Sequence, residues 1–439
     1  MIKATNMSNY KNNDNQGQLQ RQLSPTHVWA IAFGCIIGWG SFINPGKKFL
    51  QNSGVAGTAI AMALGALVMI IIAFSYAYMV PKYPKAGGEF TFTKMCFGRN
   101  TAYVCGWFLV VAYLTNVPMN STAIGLIVDG LDGTADILKW GLHYQVAGYD
   151  VWLGEMLLAI GILILFGILN ILGVKKAGIV QTILAALLGI SVVTLTIAAL
   201  VSSKTSFANM APWWGFHKSD AIVAWTNGTY TSIDEFANSG TVGAVALENW
   251  SDLIVESAST PWLLLTAAGC LLGTPGKILV GVAVSSAVLL GIMGFYLASS
   301  RLMYSMRRDG YLPEIFGVID KKHGTPKNAM IFCIIISLSG PILGREALGW
   351  FVDMSAIGAS IGYFFTCASA LVTMKRDGDG TAFLKTMATI GVVFSIMFMV
   401  LQLIPIPGLS EVHFGKESYI MLLIWIVLGI AFYVKQMKK

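Results

Sequence analysis

The chain has 439 residues, 55% of them apolar and only 12% charged, with a mean hydropathy of +0.68; a soluble domain carries about 25% charged residues. The apolar residues come in blocks of about 20, enough to cross a ~30 Å hydrocarbon layer, which excludes a soluble globular protein. The short alternating segments of an outer-membrane barrel are missing too. The formal charge of +7 and pI near 9.0 come without a basic helix or an aromatic–basic motif. They reflect membrane topology and not nucleic-acid binding.

Met1 to Gln22 is polar and rich in Asn and Gln, without the build of a signal peptide. Residues 1–23 are expected to form a disordered cytoplasmic tail, and 24–439 a single transmembrane domain of all-α polytopic architecture. Spans are predicted at Val28–Leu50, Ala56–Val80, Ala102–Val128, Val151–Leu172 and Gly178–Val201. Further spans follow at Lys277–Ser299, Asn328–Leu343, Leu348–Met374, Thr386–Ile404 and Ser418–Val434, about ten in all. The interval Ser202–Gly276 reads as an extracellular loop with surface helices, and Trp262–Leu272 leaves a re-entrant piece open.

Basic residues set the orientation. Alternate loops carry Lys82, Lys85, Lys94 and Arg99, then Lys175 and Lys176, then Arg301, Arg307 and Arg308, with Lys375, Arg376 and Lys385 further on. The opposite loops hold Asp132, Asp136, Asp150, Glu248 and Asp252. Both termini are therefore expected inside a cell (inner) membrane, with Lys47 and Lys48 as exceptions. The six cysteines lack CxxC or Cys/His spacing and read as small buried hydrophobes, with no disulfide and no metal. HExxH and P-loop patterns are absent and the five histidines are far apart, so an enzyme is not expected.

The first span contains the stretch IIGWGSFINPG, Ile36 to Gly46. Gly38 and Gly40 let the backbone leave the helix cheaply, and Pro45 lacks a donor. A break there exposes carbonyls around Ile36 and Ile37 and amides around Gly40 to Phe42. Carbonyls suit an ammonium or Na+, and amides at a positive dipole end suit a carboxylate. The alternative is close helix packing, since Gly34 and Gly38 form a GxxxG pair.

IIGWGSF resembles the I-G-x-G-x-F signature of amino acid permeases of the amino acid–polyamine–organocation superfamily. YPKAGGEFTFTKMCFGR, Tyr83 to Arg99, looks like that family's first cytoplasmic loop, and ILGVKKAGIVQ, Ile171 to Gln181, like its link between spans four and five. ASSRLMYSMRRDGYLPEIFGVIDKKHGTPKNA, Ala298 to Ala329, is similar to its S-R-x-x-x-x-M-x-R-D-G-x-L-P segment followed by G-T-P. The resemblance implies a LeuT-type fold of two inverted five-helix repeats working by alternating access around a central amino acid site. It divides the domain into a first repeat (24–202), an extracellular loop region (203–276) and the remainder (277–439).

Under this resemblance, Ile36, Ile37, Gly38, Trp39, Gly40, Ser41 and Phe42 would hold an amino acid or small amine. Tyr113, Asn116, Ser285, Ser286, Ser355 and Ser360 are further pocket candidates, each with interhelical hydrogen bonding as the alternative role. Ser299 and Ser300 are candidates for a coupling-ion site; H+ and Na+ both stay open as the ion, and no other cofactor is implied. Asp353 is a carboxylate near a span interior. Partners are the substrate and the lipid bilayer; the sequence does not address oligomeric state. Family members have about twelve spans against about ten here, and the sixth and seventh have no counterpart between Trp214 and Ala246. Half of the expected site would then be missing. The competing reading is a transport-inactive scaffold or sensor derived from a permease.

Overall fold

The computed structural model describes residues 23–45, 49–132, 137–146, 149–203, 263–320, 322–344, 347–407 and 412–437. The polar tail, Lys47, Lys48 and the interval expected to lack the sixth and seventh spans lie outside the described residues. Each predicted span overlaps helix, and among the described residues eight helices are long and apolar enough to cross a membrane. The chain is an all-α polytopic membrane protein.

The remaining two spans are interrupted. α1 (Pro25–Ile36) starts at Ser24, whose hydroxyl accepts the His27 N–H, with Pro25 in the first turn. It stops at Ile36, and helix resumes as α2 (Gly40–Asn44). Pro45 keeps helical dihedrals, so the discontinuity falls at Gly38 and not at the proline. α3 (Leu50–Lys82) bends at Gly54, and α4 (Glu89–Phe97) is a short helix where the sequence suggested only loop. α5 (Arg99–Asp132) contains Pro118, and a hairpin of β1 (His143–Val146) and β2 (Tyr149–Trp152) leads into α6 (Leu153–Ile171) and α7 (Val174–Val201). α8 (Leu263–Leu272) turns at Gly273 into α9 (Thr274–Arg308) and lies against α9, α7 and α2. α10 (Lys327–Ser337) breaks at Leu338 before α11 (Ser339–Leu343). α12 (Ala347–Asp377), α13 (Ala382–Leu403) and α14 (Lys416–Met437) complete the chain.

α5, α9 and α12 form the interior. In α5 and α9, 72% and 67% of the most apolar window is buried, against 11% in α3 and in α14. The outer helices instead expose Ile60, Leu64, Leu67, Ile183, Ile190 and Ile197, a surface that suits lipid and not water. Because lipid gives no hydrophobic drive between helices, close packing must hold them together. Gly358 of α12 supplies such a contact: a Cβ there would overlap the Phe108 carbonyl oxygen and sit 2.8 Å from the Ala112 Cβ of α5.

The sequence blocks converge at the Lys/Arg-rich end. Gly87 and Gly88, at φ 118° and 47°, make a turn that L side chains rarely adopt. A side chain at Gly87 would also strike the Ser305 hydroxyl, which donates to the Ala86 carbonyl at 2.6 Å. Lys94 pairs with Asp309 at 2.9 Å, and Arg99 lies 5.4 Å from the Tyr311 ring centre, ties that bind the second block to the fourth. The Thr325 hydroxyl donates to the Ile171 carbonyl at 3.0 Å and ties the fourth block to the third. Beside them Lys82 of α3 meets Asp377 at 2.8 Å and Asp379 at 2.6 Å.

Gly358→Leu is expected to destabilise by about 1–3 kcal/mol through overpacking, read as a lower midpoint of thermal unfolding in detergent. Hydrogen bonds from Lys82 hold the Asp379 carboxyl below the usual carboxylate range. A depressed carboxylate stabilises the fold above its unfolded value of about 3.9 and loses that contribution as pH falls. Acid unfolding below about pH 4 is therefore expected to be less steep in Asp379→Asn.

Candidate functional site

The break in the first span opens onto a cavity of about 260 Å³. Gly34, Cys35, Ile36, Gly38, Trp39, Gly40, Ser41 and Asn44 form one wall. Asn116, Met119 and Asn120 come from α5, Gly291 and Phe295 from α9, and Val352 from α12.

The backbone at the break has a definite pattern. The Ile37 N–H closes on the Phe33 carbonyl at 3.0 Å; the carbonyls of the last α1 turn lie beyond the reach of intrahelical donors. On the other side the Ser41 N–H donates to the Gly38 carbonyl at 3.1 Å and the Phe42 N–H to the Trp39 carbonyl at 3.0 Å. Those two amides are used within their own turn, and the amides of Gly38, Trp39 and Gly40 precede them.

The GxxxG pair divides between its two readings. A Cβ at Gly34 would overlap the Leu290 side chain of α9, and one at Gly294 would overlap the Cys35 sulfur, so each glycine makes room for a side chain of the facing helix and α1 and α9 pack closely. A Cβ at Gly38 would meet nothing within 4 Å. Gly34 is a packing glycine, and Gly38 faces open space.

The candidates spread out around this centre. Ile36, Gly38, Trp39, Gly40, Ser41 and Asn116 line the cavity, while Ile37 and Phe42 pack into the hydrophobic core. Asn116 donates to the Ala112 carbonyl and to the Ser355 hydroxyl, both at 2.6 Å, and Ser355 donates to the same carbonyl at 3.2 Å. Ser355 therefore holds Asn116 from behind. Tyr113 is turned away from the cavity, toward Glu89. Ser360 donates to the Ala356 carbonyl and accepts from Gln402 of α13. Ser285 and Ser286 lie on α9 before Gly291, the first half-buried and the second buried, outside the cavity lining. Ser299 and Ser300 donate back to the Phe295 and Leu297 carbonyls of their own helix. Asp353 accepts from the Ser418 hydroxyl at 2.6 Å, on the side facing α14.

Sequence reasoning missed Asn120. It is 2% exposed, donates to the Asn116 carbonyl at 2.7 Å, and its Oδ1 has no hydrogen-bond partner among the described residues. Its signal was available: two asparagines four residues apart share a helix face, and polar groups in an apolar span are costly. Pro118 between them removes an amide that would otherwise bind the Leu114 carbonyl, and the Ser121 and Thr122 hydroxyls donate to the Pro118 carbonyl at 2.9 and 3.0 Å. Gly291, Phe295 and Val352 carry no signal in the sequence that would set them apart from core residues.

Comparison with known proteins gives the context for this geometry. A family model described as amino acid permease matches residues 23–247 and 244–432. The chain is 25% identical over 381 residues to an uncharacterized transporter of Rhizobium meliloti (strain 1021), covering 79% of this chain and 78% of the relative. It is 22% identical over 451 residues to the branched-chain amino acid permease BcaP of Lactococcus lactis subsp. cremoris (strain MG1363), covering 92% of each. Against the vacuolar cationic amino acid transporter 2 of Arabidopsis thaliana it is 24% identical over 397 residues, covering 82% of this chain and 59% of that longer relative. The chain belongs to the amino acid permease family.

Proposed function

We propose that the chain is a secondary active transporter that carries an amino acid across the membrane by alternating access around the cavity at the break in its first span. The observation that carries this reading is the cavity itself: it joins an interrupted helix backbone to Asn44, Asn116 and Asn120 inside a largely apolar bundle. The two ends of the break suit the two charges of an amino acid. Carbonyls at the end of α1 accept from the ammonium, and the amides of Gly38 to Gly40 donate to the carboxylate. Asn116, braced by Ser355, and Asn120 supply further polar contacts.

The size supports a single small substrate. About 260 Å³ falls just below the ~300–1,000 Å³ of drug-sized sites. Met119, Phe295 and Val352 line the same cavity and favour an apolar side chain, in keeping with a relative named for branched-chain amino acids. The positive-inside rule supports a cytoplasmic position for the basic end. Ser299 and Ser300 are spent on their own helix and contribute little to ion coupling in this reading.

The test is uptake of a labelled amino acid panel into proteoliposomes. Saturable uptake above empty vesicles is expected, with leucine, isoleucine and valine among the substrates; its absence from well-folded protein would favour the scaffold or sensor. Gly38→Leu is expected to abolish uptake with little change in thermal stability, because it fills open space. Gly34→Leu is expected to lower stability, because it wedges α1 off α9. Asn120→Ala is expected to raise KM about tenfold, the equivalent of one hydrogen bond to a charged group.

A further inference from the structure

Glu89, the first residue of α4, lies outside the cavity but is connected to it. Its half-buried carboxylate accepts from the Tyr76 hydroxyl of α3 at 2.9 Å through Oε1. It also accepts from the Tyr113 hydroxyl of α5, at 3.2 Å through Oε1 and 3.4 Å through Oε2. The titratable groups that face it are Tyr76 from α3, Tyr113 and Cys105 from α5, and Tyr363 from α12. On its own helix, Lys94 is paired with Asp309, and the Thr93 hydroxyl donates to the Glu89 backbone carbonyl at 2.7 Å. Helices α3, α5 and α12 thus meet around a carboxylate whose hydrogen-bond donors are neutral hydroxyls.

Such a group has two states with different geometry. An ionised carboxylate accepts from both tyrosines at once. Adding a proton to Oε2 converts that oxygen from acceptor to donor, so the Tyr113 bond to Oε2 cannot be kept, while Oε1 can still accept from both tyrosines. Tyr113 can report that change to the cavity. It sits one turn before Asn116 on α5, and its ring lies 6.4 Å, centre to centre, from Phe295 of α9. Asn116 and Phe295 both line the cavity.

We propose that Glu89 takes up and releases the proton that drives transport, and that Tyr113 passes its charge state to the cavity wall. The proposal rests on the transport reading above. A proton from water on one side adds to a carboxylate oxygen and returns to water on the other side; no other covalent bond changes. Ionisable groups among membrane helices are costly to keep there and commonly mark such relays. The path from Glu89 through Tyr113 to Phe295 and Asn116 is one of direct contacts, and energetic coupling along it is what the experiment must measure.

The full-length chain is reconstituted in proteoliposomes, with labelled leucine as the probe, and two assays are run on wild type and Glu89→Gln. Counterflow exchange needs no ion gradient; accumulation is driven by an inward proton or sodium gradient. Wild type is expected to show both counterflow and proton-driven accumulation, with acidification of the vesicle lumen when leucine is added. Glu89→Gln, a neutral mimic of the protonated state, is expected to keep counterflow and lose the accumulation and the acidification. Tyr113→Phe keeps the carboxylate and the ring but removes one donor; it is expected to accumulate several-fold less leucine while exchanging it, and it serves if Glu89→Gln does not fold. Undiminished proton-driven accumulation in the substituted protein overturns the proposal, as does wild-type accumulation that follows sodium and ignores protons. Wild type without counterflow overturns the transport reading, and the proton role falls with it.

Discussion

A helix interrupted inside a bilayer must find partners for the backbone groups it frees, because lipid offers none. Much of this molecule is arranged around that constraint. The break between Ile36 and Gly40 opens onto a cavity that is also lined by α5 and α9, the two most buried helices of the bundle. Gly34 and Gly294 allow α1 and α9 to approach each other closely. Two amides of the resumed helix fold back on their own turn, and the rest of the break opens onto a polar-edged cavity.

The cavity wall is weakened on its α5 side in a comparable way. Pro118 costs α5 a backbone bond, and the neighbouring Asn116, Asn120, Ser121 and Thr122 all donate to carbonyls of the same helix. Here polar side chains replace part of the backbone ladder, at the level where Gly340 of α11 presses against Pro118. The side chains that satisfy the helix also give the cavity its polar character.

At the basic end, contacts are polar and specific instead of merely close. A glycine turn, a hydroxyl on a carbonyl, the Lys94–Asp309 pair and the Lys82–Asp377 pair tie α3, α4, α9 and α12 together. α4 is the common element. It carries Lys94 toward α9 at one end and Glu89 toward α3 and α5 at the other, so the clamp at the bundle's end and the tyrosines near the cavity are fixed to one short helix.

The span positions were legible in the sequence because length and apolarity alone decide whether a helix can cross a bilayer, and each predicted span overlaps helix. The interruption of the first span was legible too, since IIGWGSF places residues that weaken a helix at its centre. Direction and company were not. Gly34 and Gly38 look alike in sequence, yet one packs against Leu290 and the other faces the cavity, a difference decided by which side of α1 meets α9. Tyr113 and Asn116 were both read as pocket candidates, but only Asn116 lines the cavity, and their hydrogen bonds go to different neighbours, Glu89 and Ser355. Phe295 and Val352 are ordinary apolar residues until helices far apart in sequence bring them to one cavity. The sequence by itself determined a polytopic amino acid permease with a broken first helix, because those features are local to each segment; only the tertiary structure decided which side chains face the break, because that depends on the rotation and close approach of neighbouring helices.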